Sequence, residues 1–148
     1  MKLSIAQVVL ERAEFAHRAD YLTFAPNTPI ANDGVQVTAQ MGRGVQNPNN
    51  AALVRLTAKS EEGSLYYFDV SYVVFYTMEW DEGEEIPENL DHRLVVTGST
   101  MLLPFIRETV ASLTGRGRFG PTWLAPANFQ MLDFKEEPTQ PEPAGASG

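Results

Sequence analysis

The stretch Leu65–Met78, with the sequence LYYFDVSYVVFYTM, alternates between two kinds of side chain along its length. Its even-numbered positions are all apolar or aromatic: Tyr66, Phe68, Val70, Tyr72, Val74, Tyr76 and Met78. Its odd-numbered positions include the polar residues Asp69, Ser71 and Thr77. Alternation with a period of two is typical of a β-strand that buries one face and leaves the other partly in water. The stretch therefore predicts a strand of an antiparallel sheet that is covered on one side.

Three other stretches alternate in the same way and are predicted strands: residues 4–17, 34–44 and 51–60. In the first of them, Val9, Ala13 and Phe15 are expected on one face, and Arg12 and Glu14 on the other. Turn-forming sequences, NPNN and EEGS, separate the last three strands. This order predicts a four-stranded antiparallel sheet.

After residue 87 the spacing of apolar residues changes from that of a strand to that of a helix. A short helix is predicted over Glu88–Val96, ended by Gly98 and Ser99, and a second helix over Thr100–Thr114. A further helical piece is predicted at 127–136. Strands followed by helices indicate an α+β fold, in which two C-terminal helices pack on one face of the sheet.

The length and composition predict one domain over residues 1–137 and a disordered, Pro/Gly-rich tail over 138–148, PTQPEPAGASG. The chain has no cysteine, which excludes disulfide scaffolds and thiolate zinc sites and fits a reducing compartment. The N-terminus has no signal-peptide pattern, and no apolar run has the length of a membrane span. The expected location is therefore the cytoplasm, without membrane insertion.

The net charge of −8 argues against a nucleic-acid partner, because binding to phosphates requires clustered Lys and Arg. The acidic residues concentrate in Glu79–Asp91, which holds seven carboxylates and no Lys or Arg. Two interpretations remain open for this segment: a solvated loop that keeps the protein soluble, and a contact site for a basic partner.

Motifs that would indicate an enzyme are weak in this chain. Gly115–Gly120 matches GxGxxG, but it follows a predicted helix, whereas a dinucleotide site needs the motif to open one. His17 and His92 are far apart in sequence and show no metal-binding spacing. There is no P-loop, so ATP use is not expected, and no cofactor or metal is expected either. A small hydrolase that uses His17 or His92 remains the alternative from another functional class.

Apolar side chains crowd the region from 101 to 134, part of which is a loop rich in Gly and Pro. Loops run over protein surfaces, so aromatic residues within them often line a groove. We interpret this region as a binding surface for other polypeptides. The candidate client-binding residues are Phe105, Phe119, Trp123, Leu124, Phe129 and Leu132.

Several motifs in this chain resemble those of the SecB export chaperones: LPFIRE at 103–108, LTGRGRF at 113–119, LAPANF at 124–129, DYLTFAPNTP at 20–29 and YFDV at 67–70. The resemblance implies a homotetramer, assembled as a dimer of dimers, with unfolded chains bound in hydrophobic grooves. It implies an ATP-independent holding chaperone that keeps preproteins competent for export or assembly.

The resemblance also implies a partner site and leaves two roles open. In SecB proteins the open face of the sheet binds the motor SecA, and the matching residues here are Asp20, Tyr67 and Asp69. Phe24 replaces a Glu of the family, and Val73-Val74 replaces a Gly-Gly pair, which argues against SecA docking. The alternative role is that of a dedicated chaperone in a toxin–antitoxin–chaperone system, which binds the C-terminal extension of an antitoxin.

Overall fold

The fold is seen in a computed structural model that describes residues 1–30 and 35–124 and the backbone of 135–136. Its elements are β1 (Lys2–His17), a single 3-10 turn (Tyr21–Thr23), β2 (Val35–Arg43), β3 (Ala51–Ser60), β4 (Tyr66–Glu79), α1 (Leu90–Thr114) and the short β5 (Lys135–Glu136). The sheet order is β1-β4-β3-β2-β5. The four long strands pair antiparallel, as predicted.

The hydrophobic core lies between one face of the sheet and α1. All the even-numbered apolar residues of β4 face it, and all but the half-buried Tyr72 are at most 2% exposed. Leu102, Ile106 and Val110 of α1 cover them and are fully buried. Each such side chain contributes about 1.5–3 kcal/mol of hydrophobic stabilisation. The alternation that predicts β4 is therefore confirmed.

The first strand differs from the prediction in which way some of its residues face. Its register against β4 skips one residue at Ala6 and one at Glu11, so β1 contains two β-bulges. Each bulge shifts the alternation by one residue. Val9 pairs with Val73 and so lies on the open face of the sheet, whereas Ala13 pairs with Val70 on the core face. The prediction that Val9 shares a face with Ala13 is thus wrong.

The described residues contain one long helix and not the two predicted helices. Gly98 and Ser99 do not end a helix, because α1 runs without a break from Leu90 to Thr114. Gly98 lies where α1 crosses β3, and a Cβ at that position would be 2.8 Å from the Cβ of Val54. Pro104 lies inside α1 on its exposed side, where water can satisfy the carbonyl that loses its hydrogen bond.

The C-terminal prediction is also corrected where the structure reaches it. Residues 135–136, the end of the helical piece predicted at 127–136, instead form β5, which pairs parallel with Gln40 and Met41 of β2. The rest of that piece, and the tail predicted at 138–148, lie outside the described residues.

By length and composition, α1 would also pass as a membrane-spanning helix. Half of its most apolar window is buried within the fold, however, and core helices meet the same criterion. The apolar character of α1 is accounted for by its packing within the fold, where eleven of its residues are buried.

Candidate functional site

The exit loop, which we define as Gly115–Leu124, leaves the C-terminal end of α1 and packs against the first residue of β4. The hydroxyl of Tyr66 accepts a hydrogen bond from the N–H of Phe119 at 2.8 Å and donates one to the carbonyl of Gly120 at 2.9 Å. Burial raises the pKa of the Tyr66 phenol, so the hydroxyl remains a donor. The loop passes so close that a Cβ on Gly117 would lie 2.6 Å from the Tyr66 oxygen.

Three other side chains bind backbone groups of the exit loop. The Nε2 atom of His17 accepts from the N–H of Arg118 at 3.1 Å. The hydroxyl of Thr114 accepts from the N–H of Thr122 at 2.8 Å. The Nε–H of Arg107 donates to the carbonyl of Leu124 at 3.0 Å. Because side chains satisfy its polar backbone, the loop holds one conformation without being part of a helix or a sheet.

The substitution Tyr66→Phe tests this anchoring. It leaves the N–H of Phe119 and the carbonyl of Gly120 without their partner, which costs about 1–3 kcal/mol for buried groups. We expect urea denaturation to show a loss of about this size. We also expect hydrogen exchange at the Phe119 amide to accelerate more than exchange in β3.

The matched control for that variant is Tyr76→Phe. Tyr76 is also buried in the core, and its hydroxyl has no hydrogen-bond partner within the part of the chain that the structure describes. Removing that hydroxyl should leave stability unchanged or raise it. Equal losses in the two variants would contradict the anchoring role of Tyr66.

An open cavity of about 560 Å³, which we call the α1 groove, lies between α1 and the exit loop. Its lining residues are Arg107, Glu108, Ala111, Ser112, Gly115, Pro121 and Trp123. Small residues of α1 line one side, and the indole of Trp123 stands at the other with 59% of its surface exposed. A large exposed aromatic beside an apolar groove is typical of a binding surface.

A second cavity of about 380 Å³, which we call the edge cavity, lies between α1 and the strand β1. Phe105 lines it, is 44% exposed, and packs its ring at 5.7 Å from that of Tyr72. Glu108 and Ser112 line both this cavity and the α1 groove. The two cavities therefore form one continuous surface that crosses α1 from the exit loop to the edge of the sheet.

The structure separates the six predicted client-binding residues into three groups. Phe105 and Trp123 are exposed and line the two cavities. Phe119 is half-buried against Tyr66, and Leu124 is only 3% exposed, so these two hold the loop on the core. A client contact by Leu124 remains a prediction and would require the loop to lift. Phe129 and Leu132 lie outside the described residues.

The three predicted partner-binding residues already have partners within the chain. The carboxylate of Asp20 binds the Arg18 guanidinium at 2.6 and 3.0 Å, and this hydrogen bonding lowers the pKa of Asp20. Asp69 lies 3.4 Å from a guanidinium nitrogen of Arg12. Tyr67 donates to Glu14 at 3.1 Å, an interaction that raises the pKa of Tyr67.

Comparison with known proteins decides the family. The family model described as preprotein translocase subunit SecB matches residues 18–140. The chain belongs to the SecB family. A protein-export protein SecB from Chromobacterium violaceum is 33% identical over 93 residues, which cover 63% of this chain and 59% of that protein. The SecB of Nitrosococcus oceani is 30% identical over an alignment that covers 93% of this chain and 89% of that protein.

A solved structure shares the fold. It is the SecB-like chaperone Rv1957 of Mycobacterium tuberculosis, in complex with a ChAD peptide from the HigA1 antitoxin Rv1956. The two chains superpose with a TM-score of 0.64 and 23% identity, over 83% of this chain and 86% of Rv1957. At that identity the likeness shows the SecB fold.

Arg107, Ala111 and Gly115 line the candidate site but are not among the residues predicted for it from the sequence. Arg107 and Ala111 lie on α1 and Gly115 is its C-cap, and their spacing of four residues places all three on one side of the helix, where they line the α1 groove together. Their spacing was visible in the sequence. What the sequence did not reveal was that the exit loop folds back to form the opposite wall.

The alternatives to a binding protein gain no support from the described residues. His17 uses its Nε2 to hold the exit loop, and its ring stacks on Tyr21 at 4.2 Å. Gly115–Gly120 follows the C-terminal end of α1, where carbonyl groups and not amides are unpaired. Within residues 1–30 and 35–124, no group of three metal-binding side chains converges.

Proposed function

We propose that this SecB-family protein is an ATP-independent holding chaperone of the cytoplasm that binds unfolded, extended segments of other polypeptides. The observation that carries the proposal is the exposed indole of Trp123 at the α1 groove, held in place by a loop whose backbone is fixed by hydrogen bonds. A protein that had no use for this side chain would gain by burying it, because burial of a Trp contributes several kcal/mol.

The size of the surface suits a holding role. The α1 groove and the edge cavity together accept a few apolar side chains of a client. The entropy lost in ordering the unfolded client offsets much of the free energy gained by burying them. One copy therefore binds weakly and releases quickly. Several copies in one assembly increase the affinity through multivalency, without requiring a particular client sequence.

We also propose the homotetramer, a dimer of dimers, and β1 supports it. This strand is at one edge of the sheet, and no described strand pairs with its outer side. Ile5, Val8 and Leu10 lie on its core-side face and are 54%, 37% and 49% exposed, and Leu10 also lines the edge cavity. A long, apolar edge strand favours pairing with a second chain. The outer face of α1 has no charged residue between Arg93 and Arg107, which favours packing of this face against another copy of the chain.

The double substitution Ile5→Lys with Val8→Lys tests this assembly, since neither residue lines the α1 groove or the edge cavity. Two charges on each edge would have to be buried in a pair of copies, so we expect the assembly to dissociate to smaller species in light scattering after gel filtration. Binding of a long unfolded client should weaken more than binding of a short peptide, because multivalency is lost.

Ile86→Lys is the control for the double substitution, since Ile86 is also exposed, at 41%, and lies in the acidic segment between β4 and α1 and not on β1. It should leave the assembly intact. An unchanged molar mass for the Ile5→Lys, Val8→Lys protein would contradict a β1 interface.

The second candidate function is that of a dedicated chaperone that binds the C-terminal extension of an antitoxin. Its support is the fold shared with Rv1957, a SecB-like chaperone solved with an antitoxin peptide. Isolation of this protein from its native cells with bound polypeptides attached separates the two functions. Many unrelated preproteins would support general export, and one dominant antitoxin would support the dedicated role.

Docking of a SecA-like partner at Asp20, Tyr67 and Asp69 stays a proposal with weaker support. Arg18 and Arg12 neutralise the two carboxylates, so a basic partner would have to displace these arginines. Phe24, which replaces a family Glu, supplies no negative charge to such a site. Its ring instead lies under the Arg18 guanidinium, whose Cζ is 5.0 Å from the ring centroid.

A further inference from the structure

The ring of His17, the last residue of β1, is held by aromatic side chains from three other parts of the fold. It stacks on Tyr21 of the 3-10 turn, with the ring centroids 4.2 Å apart, and meets Tyr66 of β4 edge-on at 5.5 Å. Phe15 of β1 and Phe119 of the exit loop also contact it edge-on, at 5.4 and 6.5 Å. Aromatic rings attract a cation as well as a neutral ring, so these contacts hold the imidazole in either charge state.

The hydrogen bond from the exit loop to His17 forms in only one charge state of the imidazole. Nε2 accepts from the N–H of Arg118 at 3.1 Å, so the neutral ring has its proton on Nδ1. In the protonated ring both nitrogens are donors, and Nε2–H would face the N–H of Arg118. The bond is therefore present above the pH range in which the imidazole titrates, and it is lost as the pH falls through that range.

No charged group near His17 compensates for that loss. Besides the two tyrosines, the charged side chains on the elements around it belong to Arg18, Asp20, Glu61, Glu62 and Arg118. Arg18 binds Asp20 and lowers the pKa of its carboxyl group, so Asp20 keeps its charge while an imidazole titrates. The glutamates share a cavity with Arg18, and the Arg118 guanidinium donates to the Phe24 carbonyl. Among residues 1–30 and 35–124, no carboxylate forms an ion pair with His17.

The position of Arg118 in the exit loop lets a change there reach the wall of the α1 groove. The next two residues are bound by the hydroxyl of Tyr66, through the N–H of Phe119 and the carbonyl of Gly120. Gly120 has a φ of 83°, a conformation that a glycine enters and leaves without a steric penalty. Trp123, which lines the α1 groove, follows three residues later. The bond to His17 is thus one of the contacts that hold this wall in place.

We propose that His17 makes the exit loop sensitive to pH. While the ring is neutral, it holds the N–H of Arg118 and helps to fix the wall of the α1 groove; when the ring is protonated, it releases Arg118, and the loop opens more often. Histidine is the side chain that ordinarily changes charge between about pH 5 and 8, and the chain has only two. The inference goes beyond the proposed function, because it concerns the loop and not the client.

Amide hydrogen exchange, followed by NMR at about pH 8 and about pH 5, tests the proposal on the wild-type protein. The rates are corrected for the intrinsic effect of pH on exchange. Protection of the Arg118 and Phe119 amides should then fall about five-fold at the lower pH, as expected for the loss of one hydrogen bond. The amides of β3 should keep their protection, which would show that the fold as a whole is retained.

Two variants, each lacking one of the two histidines, locate the effect. In His17→Gln the side chain offers an acceptor oxygen at about the reach of Nε2, and it does not titrate. Protection of the loop amides should therefore be the same at both pH values and close to that of the wild type at the higher pH. His92→Gln removes the histidine on α1 and should show the same fall as the wild type.

The outcomes decide the inference separately from the proposed function. Wild-type protection that does not change with pH, or an equal fall in His17→Gln, would refute the role of His17. If His17→Gln does not fold, the wild type decides: the ring resonances of His17 should titrate with the same midpoint as the protection of Arg118, and separate midpoints would refute the role. None of these measurements involves a client, so a failure of the holding function would leave the inference standing.

Discussion

Replacing Trp123 with Ser should weaken the binding of an unfolded client at least ten-fold and leave the fold unchanged. The indole is 59% exposed, so its removal takes little from the core. Central tryptophans of binding surfaces contribute about 2 kcal/mol or more, and ten-fold corresponds to about 1.4 kcal/mol. The measurement is fluorescence anisotropy of a labelled, permanently unfolded protein, together with a thermal midpoint that shifts by no more than about 2 °C.

Leu22→Ser is the control for Trp123→Ser. Leu22 is 69% exposed on the 3-10 turn, so the variant also removes a large exposed apolar side chain, but away from the α1 groove. Its client affinity should equal that of the wild type. Leu124 is a poor choice for this purpose, because it is 3% exposed and its truncation would destabilise the fold. Similar affinities for the Trp123 variant and the wild type would refute the proposed groove.

Gly98→Leu should destabilise the protein by at least about 3 kcal/mol, because overpacking at a close backbone approach cannot be relieved. A Cβ at position 98 would meet the Cβ and both Cγ atoms of Val54 at 2.8 to 3.0 Å. Val54 is fully buried on β3, so it has no room to move. Urea denaturation measures the loss.

Thr97→Leu is the matched control, since Thr97 is the exposed neighbour of Gly98 on the same helix. Its stability should equal or slightly exceed that of the wild type, because Leu has the higher helix propensity. The pair of variants also tests the continuity of α1. If Gly98 separated two helices at the surface, the Gly98→Leu protein would be as stable as the Thr97→Leu protein.

Local pattern was enough to predict the four long strands. The strand β4 is the clearest case, since its buried face could be read residue by residue from Tyr66 to Met78. The bulge at Glu11 could not be predicted, because a bulge depends on how two strands pair and not on one of them alone. It moved Val9 to the open face of the sheet.

The wrong break in α1 has a related cause. The predicted break rests on the low helix propensity of Gly98, since a Gly inside a helix costs about 1 kcal/mol relative to Ala. In the structure a tertiary contact outweighs that cost, because only Gly allows α1 to approach Val54 so closely. Sequence alone does not distinguish a Gly that ends a helix from one that lets a helix pack.

The candidate site was predicted by residue type but not by position. Exposed aromatics were expected in the loop, and Trp123 fits that expectation, but Phe119 and Leu124 turn inward. What turns them inward is the binding of the loop backbone by Tyr66, His17 and Thr114, which are distant in sequence or precede the loop. The roles of these side chains are visible only once the chain is folded.

The central claim is that an unfolded client covers Trp123 in the α1 groove, and the emission of that residue measures it most directly. The chain has two tryptophans, so Trp80→Phe leaves Trp123 as the single reporter. When a client without tryptophan saturates this protein, the emission of Trp123 should shift to shorter wavelength and its quenching by acrylamide should fall several-fold. Binding shown independently by anisotropy, with no change in the emission or the quenching of Trp123, would contradict the account.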